Sequence, residues 1–262
     1  MNRYRVKPGK RVKLSDWDPN ETAAFDSGKD EGTVRLIELQ KELSELQELL
    51  YAEHQHRLLV VLQGMDTSGK DGTIRYVFKG VDPQGVRVVS FKAPNERELD
   101  HDYLWRVHPH TPGKGEIVIF NRSHYEDVVV TRVMELVPPA VWAQRYAHIN
   151  EFERMLTEEG TTLLKFFLHI DQDEQWERLR ARLDNPKKRW KFRAGDLEAR
   201  ERWYKYAEAY EEAIAKTNTD TAPWHIIPAN KKWYRNLAVA TLIVEALRAL
   251  KMKYPTPENL PP

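Results

Sequence analysis

A glycine-rich stretch with a single lysine follows the apolar run 58–62. It reads GMDTSGKDG and consists of Gly64, Met65, Asp66, Thr67, Ser68, Gly69, Lys70, Asp71 and Gly72. Glycines at both ends allow the backbone to curl so that successive N–H groups point at an anion, and a helix beginning near Lys70 adds its positive dipole end. With Lys70 as a point charge, the stretch predicts a phosphate-binding loop at a site of phosphoryl transfer.

A carboxylate inside this loop points to a metal ion. Loops of this kind usually place Ser or Thr directly after the lysine to hold magnesium, whereas Asp71 stands there in this chain. Asp66 would repel phosphate unless a cation lay between them, so we expect Asp66 to organise Mg²⁺, which Mn²⁺ could replace, or to position a phosphate group. The alternative is a glycine-rich turn between a strand and a helix, with a solvated Asp66 and Lys70.

A second polar segment, 121–127, follows the predicted strand 116–120. Because the carboxyl ends of parallel strands meet at one edge of a sheet, this segment and the loop are expected to face the same crevice. Arg122 can fork onto phosphate oxygens, while Glu126 or Asp127 can hold magnesium or contact a nucleotide. The alternative is a polar strand end exposed to water.

A basic segment, 176–193, carries eight cations in eighteen residues. It follows a predicted strand at the position where P-loop kinases carry a mobile lid that closes over the phosphates. We expect Arg178 or Arg182 to stabilise the transferring phosphoryl group. The other cations that we expect to grip a polyanion are Lys187, Lys188 and Arg189. Charge runs are usually solvated faces, and that reading stays open.

The overall composition excludes several classes of protein. Lys and Arg number 41 and Asp and Glu 40, so the net charge of +1 supplies no bulk positive field for nucleic acid. The absence of cysteine rules out a disulfide framework and a thiolate metal site, and it fits a reducing compartment. No apolar run approaches membrane-spanning length, and the first residues lack the apolar core of a secretion signal. We therefore expect a cytoplasmic enzyme that binds neither membrane nor nucleic acid.

Strand patterns alternate with helical patterns along the chain, which predicts a mostly parallel sheet with helices on both faces in one α/β domain, 1–262. The predicted strands are 58–62, 86–90, 116–120, 162–170 and 224–228. The predicted helices are 33–54, 71–79, 128–136, 139–158 and 233–250. Residues 1–32 lack periodicity and are expected to form an arm that lies over the domain surface.

A leucine seam runs along the first predicted helix, at alternating steps of three and four. Its members are Leu36, Leu39, Leu43, Leu46 and Leu50. The seam either packs on the protein's own core or pairs with another subunit. We expect a homo-oligomer, a dimer or a tetramer.

Four segments together resemble a family-2 polyphosphate kinase, and the resemblance covers nearly the whole chain. They are GMDTSGKDG, NRSHYEDVVVTRV, DNPKKRWKF and LSDWDPNETAAF. The resemblance implies a three-layer P-loop kinase fold with a helical lid over residues 176–215. It also implies reversible, magnesium-dependent transfer of a phosphoryl group from inorganic polyphosphate to AMP and ADP, giving ADP and ATP without a covalent enzyme intermediate. Lys70 and Arg122 would then bind the transferring phosphates.

One position departs from the family pattern. Asn121 begins the second motif where many relatives carry an aspartate, and an amide is a weaker magnesium ligand than a carboxylate. The metal candidates are therefore Asp66, Asp127 and Glu126. Three other functions remain open at this point: an ATP-dependent nucleoside monophosphate kinase of the thymidylate type, a nucleic-acid-binding ATPase, and a non-catalytic nucleotide sensor.

Overall fold

Five apolar segments form a parallel sheet in the computed structural model, which describes residues 1–192 and 194–256. The strands are β1 (Arg57–Gln63), β2 (Val86–Ser90), β3 (Ile117–Asn121), β4 (Thr161–His169) and β5 (Trp224–Pro228). Their order across the sheet is β2-β3-β1-β4-β5, and every neighbouring pair is parallel. Nearly every residue of β1 and β4 is buried, because helices cover both faces of the sheet. The predicted α/β fold is confirmed.

Helices connect the strands and enclose the sheet. They are α1 (Gly28–Glu53), α2 (Lys70–Val77), α3 (Glu96–Leu99), α4 (Glu126–Val133), α5 (Pro139–Glu158), α6 (Gln172–Asp184), α7 (Ala194–Glu201), α8 (Trp203–Thr217) and α9 (Lys232–Ala249). One group of helices, α1, α2 and α9, packs together, and another group is formed by α4, α5 and α8. The segment predicted as a helical lid, 176–215, contains most of α6, all of α7 and most of α8.

Two helices, α1 and α4, begin two or more residues earlier than the sequence pattern predicts. Helix α1 starts at Gly28, so residues 28–32 are helical and do not belong to the arm. Asp30 and Glu31 in its first turn favour this early start, since carboxylates stabilise the positive end of a helix dipole. Helix α4 starts at Glu126 instead of at residue 128, which places Glu126 and Asp127 in its first turn.

The leucine seam of α1 packs on the protein's own core. Leu36, Leu39, Leu43 and Leu50 are buried, and α1 lies along α9. Of the two possibilities that the sequence left open for this seam, the structure shows the intramolecular one.

The N-terminal arm covers the β5 edge of the sheet. The amide of Val6 donates to the Trp224 carbonyl at 2.9 Å, and Arg5 forms an antiparallel bridge with His225. Tyr4 is fully buried, and its hydroxyl is hydrogen bonded to that of Tyr234 on α9. The arm thereby blocks an edge that would otherwise be free to pair with another strand.

Candidate active site

The predicted phosphate loop lies between β1 and α2, at the carboxyl edge of the sheet. Two of its glycines adopt backbone conformations that other residues rarely reach, with φ of 148° at Gly64 and 104° at Gly69. Both also face close neighbours. A Cβ atom at Gly64 would lie 2.7 Å from the Leu168 carbonyl oxygen, and one at Gly69 would lie 1.8 Å from a guanidinium nitrogen of Arg235. The turn therefore requires glycine at both positions.

Side chains bind the carbonyl oxygens of five successive loop residues, 64–68. Lys70 donates to the Gly64 and Met65 carbonyls at 2.6 and 3.3 Å. Behind the loop, Gln175 of α6 donates to the Asp66 carbonyl at 3.3 Å. Arg178 donates to the Thr67 and Ser68 carbonyls, both at 2.9 Å, and Arg235 of α9 donates to the Ser68 carbonyl at 3.1 Å. The loop is thus held from its carbonyl side by α2, α6 and α9.

Lys70 is buried within its own loop. Its side chain is folded back over the loop, and the residue is only 9% exposed. Burial, together with the neighbouring Arg122, lowers the pKa of Lys70 to about 8, although Asp66 opposes the shift. An incoming phosphate would restore the preference of this amine for its charged form.

The second polar segment meets the loop because their strands are adjacent. Leu62 of β1 is in register with Asn121 of β3, so the chain leaves both strands at the same edge. Arg122 then donates to Asp66 at 2.8 Å and to Glu126 at 3.3 Å. Glu126 is the main group that raises the pKa of Arg122. The shared crevice predicted from the sequence is present, and Arg122 joins its two halves.

Asn121 contacts the loop from the other side. Its amide Nδ2 donates to the Asp71 carboxylate at 2.8 Å, which ties the end of β3 to the first turn of α2. An amide suits this position because it can donate to a carboxylate, which a second carboxylate can do only when it is protonated.

A cleft that is open to solvent lies between Asp66 and α8. It is lined by Gly64, Met65, Asp66, Arg122, Glu126, Val130, Gln175, Ala199, Tyr206 and Tyr210. Sequence reasoning did not identify Gln175, Tyr206 or Tyr210 as site residues. Their spacing of four residues puts both tyrosines on one face of α8, and this was the signal available.

Asp127 does not line this cleft. Its carboxylate is buried between Arg145 at 3.7 Å and Arg106 at 4.0 Å. Burial raises the pKa of Asp127 to about 6, although both arginines oppose the shift. A carboxylate already held by two guanidinium groups is a poor metal ligand, so the geometry does not support the predicted metal role of Asp127.

Asp66 and Glu126 are the carboxylates that fit a metal ion. Across residues 1–192 and 194–256, no group of three or more His, Asp or Glu side chains forms a preformed metal cage. Magnesium bound with phosphate, however, commonly takes only one or two carboxylates from the protein. Asp66 and Glu126 both line the cleft and both contact Arg122, so they fit that donor set.

The basic segment divides into buried and exposed cations. Arg178 is 8% exposed, and besides the loop it binds the Ala229 and Asn230 carbonyls at 2.6 and 3.0 Å and Glu174 at 2.5 Å. Arg182 is half-buried and lies 3.7 Å from Asp196 of α7. In contrast, Lys187, Lys188 and Arg189 are exposed in the connection after α6. Arg193, the last cation of the predicted segment, lies outside the described residues.

The place predicted for Arg178, on a mobile lid, differs from the place observed. The side chain is fixed against the backbone of the phosphate loop, with all of its nitrogen atoms hydrogen bonded. The reason is that α6 begins at Gln172, so Arg178 lies in the middle of a packed helix and not in the exposed connection.

No helix in the described part of the chain is both long enough and apolar enough to cross a lipid bilayer.

A loop with this geometry at the end of a parallel strand, facing an arginine and two carboxylates, defines a phosphotransferase of the P-loop kinase class. The sequence profile of the family described as polyphosphate kinase 2 matches residues 26–255. This chain belongs to the polyphosphate kinase 2 family. The family resemblance seen in the sequence is thereby confirmed.

Individual relatives resemble the chain over almost its whole length. It is 62% identical over 259 residues to the AMP/ADP-polyphosphate phosphotransferase of Meiothermus ruber, which covers 99% of this chain and 97% of the relative. It is 42% identical to the ADP-polyphosphate phosphotransferase of Rhodopseudomonas palustris, over 96% and 91% of the two chains. The crystal structure of polyphosphate kinase 2 from Arthrobacter aurescens TC1 superposes with a TM-score of 0.94 at 45% identity, covering 98% of this chain and 91% of that chain.

Proposed function

We propose that this enzyme transfers a phosphoryl group from inorganic polyphosphate to AMP and to ADP, giving ADP and ATP in reversible, magnesium-dependent steps. The observation that carries the proposal is the 62% identity, over nearly all of both chains, with a protein named AMP/ADP-polyphosphate phosphotransferase. The phosphate loop and the cleft beside it supply the chemistry that such a transfer needs.

The reaction exchanges one phosphoanhydride bond for another. A terminal phosphate oxygen of the nucleotide attacks the terminal phosphorus of polyphosphate, and the bond from that phosphorus to the next bridging oxygen breaks. The acceptor oxygen is already ionised, so no general base is required and no covalent enzyme intermediate forms. The protein's task is to place two polyanions end to end and to neutralise the charge between them.

Lys70 and Arg122 carry this neutralisation. Lys70 is folded back over the loop where transferring phosphates would sit, and Arg122 presents a guanidinium to the same crevice. The bond from Arg122 to Asp66 holds this guanidinium at the mouth of the loop. A bound phosphate would accept from Arg122 in place of, or in addition to, that carboxylate.

Asp66 and Glu126 would hold Mg²⁺, and Mn²⁺ could take the same oxygen ligands. The metal, when bound, supplies positive charge to the phosphate oxygens. If Asp66 does not bind the metal, it would orient the acceptor phosphate through its contact with Arg122.

The exposed cations Lys187, Lys188 and Arg189 would bind the polyphosphate chain beyond its reacting end. Polyphosphate is a dense line of negative charge, and these residues supply exposed positive charge after α6. Arg182 would reach the transferring group if the part of the predicted lid beyond the fixed Arg178 closes, after leaving Asp196. A cytoplasmic location and a homo-oligomeric state stay predictions from the sequence.

The donor separates this proposal from an ATP-dependent nucleoside monophosphate kinase, an alternative that the relatives' names do not favour. The purified enzyme is incubated with AMP, Mg²⁺ and polyphosphate without ATP, and the nucleotides are separated by chromatography. We expect ADP first and ATP later. Product formation from AMP and ATP, with none from AMP and polyphosphate, would contradict the proposal.

A matched screen then defines the acceptor. Polyphosphate is offered with AMP, ADP, GMP or GDP under the same conditions, with and without a chelator of divalent metals. Conversion of both AMP and ADP, lost on chelation and restored by Mg²⁺, is the expected result.

A further inference from the structure

Two buried arginines support the phosphate loop from behind, but they differ in charge balance. Arg178 has a carboxylate partner, Glu174, at 2.5 Å. Arg235, 2% exposed on α9, donates to the Ser68 carbonyl at 3.1 Å and to the side-chain oxygen of Asn236 at 2.8 and 3.1 Å. The acceptors of Arg235 among the described residues are all neutral, so within that part of the chain this buried cation is bonded to dipoles and not to a carboxylate.

The nearby charges do not compensate Arg235. Burial, together with the neighbouring Arg178, lowers the pKa of Arg235 to about 9, and Glu174 is the acidic group that opposes the shift. Glu174 is already engaged by Arg178. Taking a charge out of water without a counter-ion is costly, and proteins retain such a group only where something else repays the cost.

The guanidinium of Arg235 lies directly against the loop backbone. Its Nη1 atom would be 1.8 Å from a Cβ atom at Gly69, the residue before Lys70. No side chain therefore stands between this cation and the turn that leads into α2. At such short range and within a buried environment, its field reaches an anion held by the loop with little screening.

We propose that Arg235 is a positioning residue for the phosphoryl donor or acceptor: it holds the Ser68 carbonyl on the far side of the loop, and phosphate bound on the near side supplies its missing counter-charge. This inference rests on the proposed role of loop 64–72 as the phosphate site. Arg235 does not touch substrate. It acts through the backbone of Ser68 and Gly69 and through its field, so the empty loop is a destabilised, charge-unbalanced state that polyanion binding relieves.

Uncharged replacements of Arg235 test this directly. Arg235→Met keeps the apolar stem, and Arg235→Gln keeps a donor for the Ser68 carbonyl, but neither carries charge. We measure thermal unfolding of the full chain with and without inorganic tripolyphosphate, the dissociation constant of tripolyphosphate by calorimetry, and kcat and KM with polyphosphate. The control is Arg248→Met on the same helix, where the arginine is exposed and pairs with Glu42.

The ligand-free protein and the tripolyphosphate-bound protein should respond to Arg235→Met in opposite ways. Without ligand, Arg235→Met should unfold at the wild-type temperature or above it, because a buried unpaired charge has been removed. Its dissociation constant for tripolyphosphate should rise about tenfold or more, and the thermal shift that the ligand produces should shrink. Arg235→Lys, which keeps the charge, should retain most of the ligand-induced shift. Arg248→Met should behave as the wild type.

A purely structural role predicts a different pattern. Lower unfolding temperatures for Arg235→Met and Arg235→Gln with an unchanged dissociation constant would overturn the proposal. Failure of both uncharged variants to fold would overturn it as well, because the protein would then need Arg235 without any anion present.

The phosphate loop itself is tested separately with Lys70→Met. If Lys70→Met still binds tripolyphosphate normally, the loop is not the anion site, and both the proposed site and this inference are wrong. If Lys70→Met loses binding while Arg235→Met keeps it, the loop assignment stands and only the role of Arg235 is rejected.

Discussion

Lys70 is a buried cation in the phosphate loop, so it should contribute strongly to turnover. Replacing it by Met preserves the apolar stem, and we expect kcat to fall on the order of 10³-fold or more, because a cation that neutralises transition-state charge is lost. The unfolding temperature should change little. The measurement is a polyphosphate-to-AMP assay beside Lys79→Met, an exposed lysine just beyond the same helix. Near-normal turnover in a folded Lys70→Met protein would contradict the loop assignment.

The pH dependence of polyanion binding should follow from the same lysine. With a pKa of about 8 in the free protein, Lys70 is charged below pH 8 and loses its proton as the pH rises above it. A polyanion binds the charged form better, so affinity for tripolyphosphate should weaken between pH 7.5 and 9.5, in steps chosen around that pKa of about 8. Calorimetry across this range checks it. The same decline in Lys70→Met would assign the titration to another group.

Asn121 should influence the choice between acceptors. Its amide donates to Asp71, so Asn121→Asp would set two carboxylates against each other beside the phosphate site. We expect kcat/KM for AMP and for ADP to change by unequal factors, because the two acceptors bring different charge to this edge. Steady-state kinetics with each acceptor measure the ratio.

The control for this change exchanges the pair. Asn121→Asp combined with Asp71→Asn restores one carboxylate and one amide, and it should recover part of the lost activity. Equal factors for AMP and ADP in the single variant would remove Asn121 from any account of acceptor choice.

The cations of the basic segment have different roles inside α6 and after its end. Its middle carries the buried Arg178 against the loop, while the exposed Lys187 and Lys188 lie beyond its end. Neutralising the exposed pair, as Lys187→Gln with Lys188→Gln, should raise KM for polyphosphate, steepen its dependence on chain length and reduce its sensitivity to salt. KM for AMP should stay nearly unchanged, since the pair would contact only the donor chain.

The matched control removes two charges elsewhere. Lys7 and Lys10 are exposed in the N-terminal arm, and replacing both by Gln should leave the kinetics with polyphosphate unaltered. If the Lys187 and Lys188 variant weakened AMP and polyphosphate equally, the segment would support the fold and would not bind the donor.

A buried ion pair joins the elements that carry the second half of the site. Lys165 of β4 bonds Glu153 of α5 at 2.5 Å and the Thr217 carbonyl at 2.7 Å, and Tyr125 donates to Glu153 at 2.7 Å. His124 contacts the same carboxylate at 3.2 Å. The segment after β3 is therefore fixed to α5, β4 and α8 by one polar cluster inside the molecule.

Removing one member of this cluster should destabilise the whole fold. Glu153→Gln leaves Lys165 charged in a buried site, and we expect a loss of about 3–5 kcal/mol in the free energy of unfolding. Denaturant unfolding measures it. Glu158→Gln on the same helix is the control, because its pair with Arg154 is exposed to solvent and should contribute little to stability. Similar losses of unfolding free energy for the two variants would mean that the buried cluster contributes no more to stability than the exposed pair.

The sequence by itself determined the phosphate loop, its place at the end of a strand, the parallel α/β fold and the family. Each of these features depends on residues that are contiguous in the chain. The loop is nine residues long, and the strand ends can be located from apolar runs. Because β1 and β3 are adjacent and parallel, their carboxyl ends bring Asp66 and Arg122 to the same edge of the sheet.

Only the tertiary structure decided which groups the side chains of Asp127, Arg178 and Arg235 contact. Helix α4 starts two residues before the apolar pattern, and the direction of Asp127 follows from that start, so it meets Arg106 and Arg145 instead of the cleft. Arg178 and Arg235 reach Ser68 across 110 and 167 residues of chain. No local pattern encodes contacts of that length, because they depend on how α6 and α9 pack against the sheet, and packing is a property of the assembled core.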